Sequence, residues 1–203
     1  KNIYMLNEVP LIAYSIFYAK KFKSSMDIIV STNSIEIKDI SETYGAQVPF
    51  LRPEELASDD TPDYPVCLHA LNTSENVFNK KYDFVIWIRP TSPARPEGLI
   101  EKGLSILNHD KSIDSVRSVS KSKQHPFRQF YIDKNKLMPV ENNINDAYNT
   151  PRQFLPAAYF QTGHLEIIRS KIIKNGNISG KNIAPLFIDN KYMFDLDTPE
   201  DMD

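Results

Sequence analysis

Cysteine and tryptophan occur once each among these 203 residues, as Cys67 and Trp87, and glycine only six times. A lone thiol closes no internal disulfide, and the four histidines form no cluster with it of the kind structural zinc needs. A reducing compartment, the cytoplasm, is therefore expected. A surplus of positive charge is also missing. Lys and Arg total 24 against 26 Asp and Glu, for a net charge of −2, and no basic block stands out. That balance argues against nucleic acid or an anionic membrane as the partner. No apolar run approaches the roughly 20 residues that cross a bilayer, and the first residues do not resemble a signal peptide. Walker A, G-x-G-x-x-G, G-x-S-x-G and H-E-x-x-H sequences are absent, which removes the usual support for P-loop, dinucleotide-binding, hydrolase and zinc-protease readings. The chain opens on Lys1-Asn2 and stops at Asp201-Met202-Asp203, within what reads as the first turn of a helix. Both ends are expected to be cuts from a longer protein.

What is present suffices for a core. Hydrophobic residues make up 41% and aromatics 11%, too many for a disordered chain. A globule of this length buries roughly 70% of its unfolded surface. Leu11, Ile12, Ile16, Ala19 and Phe22 recur at helical spacing over 10–22. Residues 27–32 are β-branched and stopped by polar residues, which predicts a short buried strand. Ser34 can cap a second helix carrying Ile35, Ile37, Ile40 and Tyr44, closed by Gly45. A short strand over 46–51, a polar loop over 52–60 and a helix over 64–77 follow, then the most apolar strand, 84–88. Loop 89–96, a helix over 97–107 and a strand over 115–119 continue the pattern. Strand, loop and helix alternate, which predicts an α/β fold with a mainly parallel sheet covered by helices on both faces. In such sheets ligands sit on the loops after the carboxyl ends of strands, here 31–34, 89–95 and whatever follows the late strands. After Ser120 the pattern breaks. Residues 121–156 are polar and rich in Asn and Pro, with a small hairpin expected around Asp133-Lys134-Asn135-Lys136. A stretch that long is a functional flap or an arm packed on a partner subunit. Strands are expected again at 158–161, 165–169, 183–189 and 192–194.

The last of these delivers Asp195-Leu196-Asp197, with both carboxylates on one side. Two hard oxygen ligands so placed suit Mg²⁺ together with phosphate oxygens and water. The competing reading is a strand end in which Thr198 caps a helix, Pro199 opens it, and Glu200 and Asp201 fill its first turn. In Arg89-Pro90-Thr91-Ser92-Pro93-Ala94-Arg95, two prolines fix the backbone, two hydroxyls donate hydrogen bonds and two guanidiniums can grip phosphate or carboxylate. An ordinary strand-to-helix connection explains the stretch equally well. Arg52, Arg128 and Arg152 are loop arginines, each by itself an ordinary solvated charge. His125 before Pro126 reads first as a turn residue, and His69 and Cys67 read as packing.

Taken in order, these stretches resemble the N-acylneuraminate cytidylyltransferase family (CMP-sialic acid synthetases). Lys1-Asn2 with Pro10-Leu11-Ile12-Ala13-Tyr14-Ser15-Ile16 is similar to the end of the family's N-terminal motif and its first helix. Val30-Ser31-Thr32-Asn33, Arg52-Pro53-Glu54-Glu55-Leu56-Ala57-Ser58-Asp59 and Pro90-Thr91-Ser92-Pro93 with Arg95 continue the series. Asp114-Ser115-Val116, His125-Pro126, Arg152-Gln153 with Leu155-Pro156, and Asp195-Leu196-Asp197-Thr198-Pro199-Glu200-Asp201 complete it. The resemblance implies a Rossmann-like nucleotidyltransferase fold in one domain over 1–203, carrying a dimerisation arm over 123–156, and hence a homodimer. It implies transfer of CMP from CTP to the anomeric hydroxyl of a nonulosonic, 2-keto-3-deoxy sugar acid, with release of pyrophosphate.

By matching position, Asp195 and Asp197 are catalytic and hold Mg²⁺. The resemblance likewise implies that Lys1, Asn2, Arg52, Thr91 and Ser92 bind the nucleotide and that Arg89, Arg128, Arg152 and Thr162 bind the sugar, with Arg152 on the sugar's carboxylate. Four departures accompany the match. The family's central first strand and glycine-rich phosphate loop would precede Lys1. Its signature glutamine is Arg89 here, its Asn-Gly is Thr162-Gly163, and its aromatic pair near the N-acyl group is Lys181-Asn182. These differences imply a different sugar pocket, with legionaminic, pseudaminic or another bacterial nonulosonic acid as candidates beside N-acetylneuraminate. The alternatives are a nucleotidyltransferase using another nucleotide or a sugar-1-phosphate, and a non-catalytic nucleotide- or sugar-binding domain.

Overall fold

Apolar spacing sets the first four helices where the sequence predicts them, in a computed structural model that describes residues 1–22, 26–141, 146–194, 196 and 201. A tight hairpin of β1 (Met5–Leu6) and β2 (Val9–Pro10) leads into α1 (Leu11–Lys20), which buries Leu11, Ile12, Ala13, Ile16 and Ala19. Ser34 caps α2 (Ile35–Thr43) by accepting the Ile37 N–H on Oγ at 3.3 Å. Gly45 follows at φ 93°, a conformation that side-chain-bearing residues reach only at a cost. Next come α3 (Asp63–Phe78), β3 (Phe84–Trp87), α4 (Leu99–His109) and β4 (Ser115–Lys121). The polar stretch holds the expected hairpin, β5 (Phe130–Asp133) and β6 (Lys136–Pro139). It turns on Lys134 and Asn135, both at the positive φ that a two-residue type I′ turn requires. Then follow β7 (Tyr159–Arg169), α5 (Ser170–Lys174) and β8 (Ile183–Phe187). No helix among the described residues is long and apolar enough to cross a membrane.

The main sheet is mixed, not mainly parallel as expected. Its order is β3-β7-β4-β8; β7 runs antiparallel to both β3 and β4, and only β4 and β8 pair in parallel. The cause is β7 itself. The two short strands read at 158–161 and 165–169 are one 11-residue strand that returns from the arm against its neighbours. A register shift between Arg117 and Val119 absorbs its irregularity. Helices do cover both faces. Ile86, Ile167 and Val116 pack with Leu99, Ile100 and Leu107 of α4, while Val85 and Ile168 pack with Cys67 and Leu71 of α3 and Ile173 of α5. The strands expected at 27–32 and 46–51 shrink to one parallel bridge between Ile29 and Gln47. The strand expected at 192–194 is replaced by a 3-10 turn, Asn190–Tyr192, capped by Asp189 through the Lys191 N–H at 2.9 Å.

A third apolar cluster joins Ile12 and Ile16 of α1 to Val30, Ile37 and Ala46. Between it and β3 opens a cleft of about 1280 Å³, walled by Ile12, Ile16 and Val30 on one side and Leu71, Val85 and Ile86 on the other. Among the described strands β3 pairs only with β7, so its second edge faces this space. The buried hydroxyls of Ser15 on α1 and Ser74 on α3 also lie on the cleft walls, without a hydrogen-bond partner among the described residues.

Candidate active site

Beyond Trp87 the chain turns through Pro90 and Pro93 before entering α4. Two hydrogen bonds to the Arg89 carbonyl, from the Ser92 N–H at 3.3 Å and from Arg95 Nη2, fold that turn back on itself. Arg95 also donates Nε to the His164 carbonyl at 2.9 Å, which pins the loop to β7. Burial draws the Arg95 guanidinium down to about 10, still cationic at neutral pH. Arg95 is thus an internal clamp. Gly163 on β7 is the matching adaptation: a Cβ there would lie 2.5 Å from Ser92 Oγ and 3.5 Å from Arg89 Cδ. Only hydrogen lets loop and strand come this close. Thr91 stands on the cleft wall, and its carbonyl accepts the Leu196 N–H at 2.9 Å.

The residues singled out from the sequence divide four ways. Lys1, Asn2, Arg52, Arg89, Thr91 and Thr162 all line the cleft. Arg52 donates its backbone N–H to the Thr32 carbonyl at 2.8 Å, which sets it beside residues 31–33. Its Nε is buried without a hydrogen-bond partner among the described residues. Ser92 is buried at 1% exposure, and Thr162 bonds its hydroxyl to Ser118 Oγ at 2.8 Å within the sheet. Arg128 and Arg152 lie in the arm, off this cleft, and donate to the carbonyls of Thr150 at 2.9 Å and Ser122 at 3.1 Å. Asp195 and Asp197 lie outside the described residues. Among the described residues no group of three or more His, Cys, Asp or Glu could hold a metal ion.

Two other candidates behave as the sequence predicts. His125 Nδ1 accepts the Phe127 N–H at 3.2 Å, so Nε2 carries the proton and donates to the Pro156 carbonyl at 2.9 Å. It fastens a turn. The Cys67 thiol is pushed up to about 12 by burial, with Glu166 and Asp63 adding to the effect, which rules it out as a neutral-pH nucleophile.

Four residues were not evident from sequence: Asp63, Arg117, Gln161 and Glu166. Glu166 sits in register between Trp87 of β3 and Arg117 of β4. Its Oε2 accepts Arg117 Nη2 at 2.8 Å, and Gln161 Nε2 donates to Oε1 at 3.4 Å. Arg117 donates further to Gln161 Oε1 at 2.8 Å and Ser179 Oγ at 2.6 Å. Arg89 Nη2 lies 3.8 Å from Glu166 Oε1 and pairs closely with Asp63 at the start of α3. The Arg89 guanidinium stands 5.6 Å from the Trp87 ring centre. The one signal in the sequence is an acid inside the apolar run Leu165-Glu166-Ile167-Ile168, since a buried Glu demands partners. Which partners it meets depends on strand pairing.

Residues 1–129 match the family model described as Cytidylyltransferase. Post-translational flagellin modification protein B of Campylobacter coli is 30% identical over 202 residues, spanning 99% of this chain and 84% of that protein. CMP-N,N'-diacetyllegionaminic acid synthase of Campylobacter jejuni is 30% identical over 203 residues, again 99% of this chain and 84% of that protein. In fold the chain is similar to a CMP:2-keto-3-deoxy-manno-octonic acid synthetase complexed with CTP, with a TM-score of 0.64 and 10% identity, covering 93% of this chain and 83% of that one.

Proposed function

Because this chain belongs to the cytidylyltransferase family, we propose that it transfers CMP from CTP to the anomeric hydroxyl of a nonulosonic, 2-keto-3-deoxy sugar acid and releases pyrophosphate. The observation that carries this reading is one cleft lined by Lys1, Asn2 and Arg52 together with Arg89, Thr91 and Thr162. The first three supply positive charge and hydrogen bonds to a nucleotide; the others stand beside the loop after β3 and the start of β7, where the sugar is held. The hydroxyl attacks the α-phosphorus in line, an oxygen–phosphorus bond forms, the α–β bridge breaks, and pyrophosphate leaves with the bonding pair while the hydroxyl proton passes to water. Lys1 and Arg52 bind and orient the anionic triphosphate, and Arg152 binds the carboxylate of the sugar acid.

Asp195 and Asp197 are the carboxylates proposed to hold a divalent cation, Mg²⁺ by their hard-oxygen chemistry. Bound there, such an ion would neutralise charge on the phosphates and favour deprotonation of the attacking hydroxyl. Leu196, between them in sequence, has its N–H on the Thr91 carbonyl at 2.9 Å, which supports a site at this loop. The arm over 123–156 is the homodimer contact in this reading and brings Arg128 and Arg152 to the sugar. Ile132, Leu137 and Phe154 on it are 75%, 65% and 76% exposed, an apolar surface that calls for cover. A buried, unreactive Cys67 suits the cytoplasm, the proposed location.

The test is pyrophosphate release with Mg²⁺, CTP and a panel of nonulosonic acids, with GTP and UTP as comparison nucleotides. CTP-dependent release with at least one acid is expected, and Asp197→Asn should keep the fold while lowering turnover at least about 100-fold. Silence across the whole panel rules the reading out.

A further inference from the structure

A carboxylate buried in a sheet persists only where partners neutralise it. Glu166 is 7% exposed on its side chain and sits within reach of two guanidiniums, those of Arg117 and Arg89. Asp63 and Arg89, 45% and 34% exposed, form the open end of the same chain of charges. Two acids and two arginines make the set neutral. Asp63, Arg89 and Gln161 line the cleft, whereas Glu166 and Arg117 stand behind it.

The orientation of Gln161 is determined by its partners. Arg117 can only donate and Glu166 can only accept, so Oε1 must face the arginine and Nε2 the glutamate, as the 2.8 Å and 3.4 Å contacts have it. One amide proton and one lone pair stay available to a ligand. Arg89 is equally constrained, by Asp63, by Glu166, by the Trp87 ring, and by a backbone carbonyl that Ser92 and Arg95 hold. An incoming carboxylate at this point would meet the Asp63 charge as well as the arginine. A hydroxyl or amide N–H would instead donate to Asp63 and accept from Arg89 or Gln161.

We infer, on the transferase reading above, that Asp63, Arg89 and Gln161 form a charge-balanced subsite for the uncharged polar substituents of the sugar acid, its hydroxyl or acylamino groups, with Glu166 as the positioning residue behind them. The sugar carboxylate is held elsewhere. Glu166 acts through Arg89 and Gln161: a neutral amide in its place leaves Arg117 without its carboxylate and takes from Arg89 one of its two acidic neighbours, loosening its seat over Trp87.

Trp87 is the single tryptophan of the chain, and Arg89 lies over it, so its fluorescence reads the subsite without turnover. The experiment titrates nonulosonic acids, without nucleotide, into the wild type, Glu166→Gln and Asp63→Asn, and measures KM for sugar and CTP in the same proteins. Asp63 is partly exposed, so its variant guards against simple misfolding of the buried one. A saturable emission change is expected in the wild type, with sugar binding weakened about tenfold in both variants and KM for CTP moved by less than about twofold. A wild type whose emission does not respond, or variants that lose sugar and CTP equally, overturns the subsite. An emission change that both variants weaken, with no pyrophosphate formed, leaves the subsite standing and removes the transferase reading instead. Pyrophosphate formed with a silent Trp87 does the reverse.

Discussion

At Gly163 the absence of a side chain decides how closely the loop after β3 can approach β7. A methyl group there meets Ser92 Oγ at 2.5 Å, and Ser92 is too buried to move aside freely. Gly163→Ala should therefore cost about 1–3 kcal/mol, as overpacking does, and raise KM for the sugar more than KM for CTP. Thermal unfolding and steady-state kinetics on the variant check both; an unchanged midpoint would mean that the contact is loose. Single residues also show where sequence and structure part. Arg95 carries the same charge as Arg89 six positions earlier in one loop, but it is spent inside the protein on the carbonyls of His164 and Arg89. Nothing in the local sequence separates the two arginines. Burial does.

Elements are tied to one another by a second buried acid. Glu75 of α3 accepts Lys174 Nζ of α5 at 2.7 and 2.8 Å, Lys81 Nζ at 2.8 Å and the Tyr82 N–H at 3.3 Å. Burial would raise its carboxyl, but the hydrogen bonds from Lys174, Lys81 and Tyr82 outweigh that and draw it from 4.5 down to about 2. A folded value below the unfolded one means the contribution is complete above about 4.5 and lost as pH falls toward 2. Thermal midpoints recorded across that window should drop in the wild type and drop less in Glu75→Gln. At neutral pH the variant should be weaker by about 2–3 kcal/mol, with both lysines able to turn to water. Equal acid sensitivity of the two proteins would place the loss on other carboxylates. The helices α1 and α2 were legible because apolar spacing and, for α2, the Ser34 cap are local, as was the turn at Lys134 and Asn135. β7 was not: Thr162-Gly163 looks like an interruption, and only pairing on both sides makes it continuous.

For the whole molecule, the arm carries its own prediction. Ile132 is 75% exposed on β5, so it contributes little to folding of the single chain. Ile132→Glu should still unfold in one cooperative thermal transition while halving the mass seen by light scattering. A wild type that is already monomeric, or a variant of undiminished mass, refutes the arm as the contact. The same scale holds the cleft. Its lining residues Lys1 and Asn2 come from the first turn, Arg52 from the loop after the Ile29–Gln47 bridge, Arg89 and Thr91 from the loop after β3, and Gln161 and Thr162 from the first half of β7. No two of those stretches are adjacent in sequence.

The amino-acid order by itself determined the first four helices, the small hairpin, the loop stretches that bear the candidate ligands, and the kind of chemistry they suit. These depend on interactions between residues a few positions apart, where capping, turn geometry and apolar periodicity act. Strand direction, the cluster of Asp63, Arg89, Glu166 and Arg117, and the division between a clamping and a cleft-lining arginine were decided only by tertiary structure. Each depends on which backbones pair across long stretches of chain, and on how much water that pairing leaves around a charge.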